Sequence, residues 1–144
     1  MWPFTFEERL AQWYNLRTNS SNLELKSFLT QVHDWWWRSP MVNRYLNWDD
    51  HVNWPGPWDL LDENRYCDLA RALGMLYTIT LSAHPDIENI TITQSDKGNL
   101  VLINHGKYIL NWTPGELLNI DSTNIAITRQ LTGEQLQQNL GYNT

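Results

Sequence analysis

One cysteine, Cys67, is the whole thiol content of this 144-residue sequence. No internal disulfide can form, which fits a reducing compartment. Basic charge is also scarce: ten Lys and Arg stand against sixteen Asp and Glu, a net charge of −6. A nucleic-acid groove needs a basic stripe and adhesion to an anionic bilayer needs a polybasic segment, so neither nucleic acid nor membrane is expected as a partner. No apolar run approaches the roughly 18 residues of a spanning helix. The start, MWPFTFEERL, has neither the basic residues nor the apolar stretch of a secretion signal. The expectation is a protein not secreted by that route, with the N-x-S/T triplets at Asn19, Asn89 and Asn111 incidental.

Chemical motifs are equally sparse. There is no Gly-rich phosphate cradle, and no carboxylate pair is set in apolar surroundings as glycoside hydrolysis requires. Asp49-Asp50-His51 and His33-Asp34 lack the paired spacing of a metal site. No metal and no cofactor is expected.

What the chain does have is tryptophan. There are nine, eight of them within the first 58 residues, while charged residues are only 18% against about 25% in an ordinary domain. Large aromatic area with few charges suits a surface that something else will cover. The plainer alternative is that a small domain fills its core with indoles. Fully buried Trp is uncommon, so some of the eight are expected outside. Successive helical residues stand about 100° apart, which makes Trp37 the outward member of Trp35-Trp36-Trp37. Trp54 and Trp58 flank the rigid Pro55-Gly56-Pro57 turn and read as preorganised anchors. Trp37, Trp48, Trp54 and Trp58 are the expected partner-binding residues.

The hydrophobic period divides the chain. Thr5-Phe6-Glu7-Glu8 is a capping box opening a helix to about Leu16, with Phe6, Leu10 and Trp13 on one face. Ser21-Asn22-Leu23-Glu24 reads as a second box, before a helix carrying Leu25, Phe28, Leu29, Val32, Trp35 and Trp36 and stopped by Ser39-Pro40. Residues 40–58 read as an ordered, aromatic-rich loop with a helical turn around 41–46. A third helix is expected from Asp59 or Asp62 to about Thr78 or Leu81. In it Cys67, Ala70 and Gly74 form a stripe of small residues that lets another backbone approach closely.

From Ile87 the period becomes two. Strands are expected near Ile90 and Ile92, over Asn99–Asn104 and over Lys107–Trp112, with Tyr108, Leu110 and Trp112 on one face. A further strand is expected over Asn124–Arg129. Ser95-Asp96-Lys97-Gly98 and a two-residue His105-Gly106 loop make the turns. Thr132-Gly133-Glu134-Gln135 resembles a capping box for a short last helix ending at Gly141. The expected fold is α+β in a single domain of residues 1–144: a helical part, 1–84, packed on an antiparallel β-meander, 85–144.

A thiol opening a helix is favoured as thiolate by the first amides and the dipole. Here the chain resembles the transglutaminase-like and papain-like cysteine families. In them a Cys opens a helix, a small residue follows at i+3, and a His and an Asp or Asn come from consecutive antiparallel strands. The resemblance implies Cys67 with Ala70, His105, and Asn111 or Asp121 as the group orienting the imidazole. The residues also depart from that pattern. His105 sits in an Asn-His-Gly-Lys turn, where it reads as a residue tolerated at positive φ, and no Gly or Trp immediately precedes Cys67. A Cys in line with Ala70 and Gly74 is more simply a small buried hydrophobe. Cysteine catalysis is therefore the alternative, and no catalytic residue is favoured.

Trp54-Pro55-Gly56-Pro57-Trp58 leading into the Cys67 helix, with Lys107-Tyr108-Ile109-Leu110-Asn111 in the meander, is similar to small proteins of contractile-tail phages infecting cyanobacteria. That resemblance implies a virion or assembly component, or an accessory factor acting on a host protein, in the host cytoplasm or the virion. The leading expectation is a non-catalytic protein-binding role, with a viral or host protein or a second copy of the chain as partner.

Overall fold

The structure, a computed structural model, describes residues 2–42, 46–113, 116–120 and 123–136. Helix α1 spans Phe6–Thr18 and opens as the sequence dictates: the Thr5 hydroxyl accepts from Glu8 N while Glu8 reaches back to Thr5 N. The second expected box does not form. Ser20–Asn22 turn instead as a 3₁₀ segment, and Leu25–Trp37, helix α2, starts after an extended Glu24. Phe28, Leu29, Val32 and Trp36 of α2 are buried, and Arg38 ends it before Pro40.

The long connection carries a helical turn at Trp48–Asn53; of the turn expected around 41–46, residues 43–45 lie outside the described residues. The third helix is two helices. Pro57–Glu63, α3, stops at Asn64, whose φ of 53° is left-handed. Helix α4, Asp68–Ser82, then begins afresh with Cys67 as its N-cap. The gap is filled by a bridge in which Tyr66 N donates to Pro40 O at 2.9 Å and Val42 N to Tyr66 O at 2.7 Å. These bonds satisfy backbone that a continuous helix would have satisfied internally.

Strands β1 (Ile90–Ser95), β2 (Gly98–Ile103), β3 (Tyr108–Thr113), β4 (Glu116–Leu118) and β5 (Ile127–Thr132) form one antiparallel sheet in the order β4-β3-β2-β1-β5. The first four are a meander; β5, starting later than expected, crosses to the other edge to pair with β1. The β2–β3 loop is four residues rather than two, because Asn104, His105 and Gly106 take successive φ values of 53°, 60° and 86°. The expected last helix is described only to Leu136. Its capping box is present, with Thr132 and Gln135 each accepting from the other's backbone N–H, and 137–141 lie outside the described residues.

Helix α4 is central, buried from Leu69 to Ile79, with α1–α3 on one side and β1–β3 on the other. Its stripe of small residues admits a ring, not a backbone: Trp36 lies against Gly74. On the far face of the sheet, Leu100, Leu102 and Ile109 form a smaller core with Trp112, Ile120 and Ile125. Trp112 was expected beside Tyr108 and Leu110. Asn111, at φ 67°, breaks the alternation of β3, so Trp112 joins the face of Ile109.

Candidate functional site

Two places concern function: the N-terminal end of α4, with Cys67 and Asn111, and exposed Trp58 on α3 against Trp13 of α1. At the first, Cys67 is buried and its Sγ accepts from Ala70 N and Leu46 N, each at 3.4 Å. Beside it runs a polar network that sequence reasoning missed. Asn111 is its hub: Nδ2 donates to Asn99 O at 2.7 Å and to Asp68 Oδ1 at 3.0 Å, while Oδ1 accepts from Arg71 Nε at 2.8 Å. Its backbone N–H donates to His33 Nδ1 at 3.0 Å. Asp68 Oδ2 accepts from Asn99 N, and Asn99 Oδ1 from the Trp48 indole, both at 2.7 Å. Burial pushes the Arg71 guanidinium below its ordinary pKa, opposed by nearby Asp68. The one signal for this hub was Asn itself, which tolerates the left-handed backbone that β3 needs there.

A cleft of about 700 Å³ opens on Cys67 and Asp68, walled by Asn47, Trp48, Gln94 and Arg129 among others. None of its described lining residues is a histidine. His105 is at the other end of α4: its N–H is held by Asn89 Oδ1, and neighbouring Asn104 caps Glu88 N. Fifteen helical residues at about 1.5 Å each put that loop roughly 22 Å along α4 from Cys67. Cys67 and Asn111 thus lie at one end of the helix and His105 at the other. The triad implied by the cysteine families is not assembled; Asp121, the other candidate orienter, lies outside the described residues.

The acids and imidazoles weighed as metal ligands are dispersed. Asp49 pairs with Arg129 at 2.9 Å, Asp50 accepts from Asn53, and His33 stacks on Trp37. Among the described residues no three His, Cys, Asp or Glu are grouped to hold a metal, and no described helix is long and apolar enough to cross a membrane.

Of the four tryptophans expected on the surface, two are interior. Trp48 and Trp54 are buried and meet edge to face at 5.3 Å. Each indole N–H finds an acceptor, Asn99 Oδ1 for Trp48 and the nearby Asn47 O for Trp54, so both rings are internal without an unpaired donor. Trp37 is half-buried, its ring 4.0 Å from the Arg71 guanidinium and stacked on His33, closing the polar network from outside. Trp58 alone of the four is exposed, at 41%. It stands edge-on to buried Trp13 at 5.7 Å, and Tyr14, 57% exposed, is next to Trp13 on α1. Comparison with protein-family models and with curated proteins gives no match to this chain.

Proposed function

We propose that this is a non-catalytic protein-binding protein whose working surface is centred on Trp58, with exposed Tyr14, the neighbour of Trp13 on α1, contributing to it. The observation that carries the reading is that Trp58 is both exposed and fixed. It is the second residue of α3, directly after Pro57 at the first position, and its ring meets Trp13 edge-on at 5.7 Å. A rigid indole loses little freedom when it is covered, and interfaces draw most of their energy from a few such residues. The similarity to contractile-tail cyanophage proteins adds that the partner is a virion component or a host protein, met in the virion or the host cytoplasm.

Affinity capture with the wild-type chain and with Trp58→Ala as paired baits tests this. A partner recovered by the first and lost by the second, with the melting temperature only slightly lowered, is the expected result. Identical captured sets from two folded baits would end the reading.

A further inference from the structure

Arg17 follows Trp13 by one turn of α1. Its guanidinium carbon lies 4.2 Å from the Trp13 ring centre and 5.5 Å from that of Tyr14. The Nε is shut off from solvent without an acceptor, and no ion pair reaches Arg17 among the described residues, where the two ion pairs belong to Arg71 with Asp68 and Arg129 with Asp49. The two other arginines drawn into the molecule are treated differently. Arg9 donates to the carbonyls of Phe4, Leu61 and Asp62, and Arg71 to Asn111 and the Trp37 carbonyl. Acids outnumber bases in this chain, yet among the described residues none pairs with Arg17. Burial also lowers its pKa from the ordinary value, opposed by nearby Tyr14.

Trp13 joins this cation to the exposed indole, with Arg17 over its ring and Trp58 at its edge. A guanidinium held against aromatic faces, with no ion pair on its fork among the described residues, matches a carboxylate in two-pronged geometry. We propose that this surface takes an acidic segment of a protein partner, a carboxylate seated on Arg17 and an adjacent apolar side chain lying against Trp58 and Tyr14. This rests on the binding reading above and adds the partner's chemistry. Asp59 and Asp62 follow Trp58 on α3, so the partner's acid lies toward α1 and its neutral part toward α3.

The test uses the full chain with fluorotryptophan label, a peptide alternating Glu and Leu, and its twin with Gln for every Glu. The Glu peptide should shift the Trp58 resonance and bind about tenfold more tightly than the twin, a margin that added salt reduces. Arg17→Gln should erase that margin, while Lys26→Gln, on exposed α2 surface, leaves it intact. Tyr14→Ala, at a side chain that is mostly exposed, should weaken both peptides and serves if Trp58→Ala fails to fold. Equal binding of both peptides at Trp58 would overturn the acidic partner and leave the binding surface standing. Binding of neither would overturn both readings. Self-association through Trp58 in sedimentation would replace the acidic segment with a second copy of this chain.

Discussion

Trp36 lies against the backbone of Gly74 so closely that a Cβ placed there would stand 2.5 Å from the ring carbons Cη2 and Cζ3. The ring cannot move aside easily, because its Nε1 donates to Thr78 Oγ1 at 2.9 Å. Gly74→Ala should therefore destabilise the protein by about 3 kcal/mol, the upper end of core overpacking, even though alanine is the better helix former. A denaturant melt measures it; a stabilised variant would show that the α2–α4 contact is looser than described.

Thr78 gathers two indoles. Its hydroxyl oxygen accepts from Trp13 at 2.7 Å as well as from Trp36, and donates to Gly74 O at 2.7 Å. Thr78→Val keeps the shape and leaves two buried N–H groups unpaired, at roughly 1–3 kcal/mol each. Thr78→Ser retains the hydroxyl and should cost only about 1 kcal/mol for the missing methyl. Comparing the two thermal midpoints separates hydrogen bonding from packing.

Asn111 combines a left-handed backbone with the hub of the polar network. Asn111→Ala and Asn111→Gly lose the same side-chain bonds, but glycine accepts φ 67° without the cost of about 1–2 kcal/mol that a Cβ brings. The glycine variant should be the more stable by about that amount. The reverse order would mean that the backbone at 111 relaxes when the amide is removed.

Cys67 should react slowly with a thiol reagent in the native state and quickly once unfolded, since it is buried. His105→Ala should leave the rate unchanged, the imidazole being at the far end of α4. Cys67→Ser should keep the helix cap, because serine is a strong N-cap acceptor. Rapid native labelling that depends on His105 would contradict this geometry.

What was legible in the sequence was local. The switch of period near Ile87 gave the α+β division, and the boxes at Thr5 and Thr132 form as written. What was not legible depends on partners distant in the chain. The break at Asn64 hides inside a continuous apolar pattern and exists because residues 40–42 pair with Tyr66. Trp112 changes face because Asn111 takes a conformation that alternation rules do not encode. Trp48 and Trp54 were expected outside because so many indoles crowd a short stretch. Both go inside because Asn99 and the Asn47 carbonyl supply acceptors that no spacing rule reveals.

The crossing of β5 to the edge beside β1 bears on how the chain is made. On a ribosome, α4 emerges with its three helical neighbours already available, but its other side stays bare until the strands arrive. The sheet reaches its final width only when residues 127–132 are out to pair with β1. At about 5–20 residues per second, the interval from Ser82 to Thr132 lasts on the order of seconds. For that time an apolar helix flank faces water in the nascent chain, which makes this the window in which a chaperone would bind and in which premature release would be most damaging.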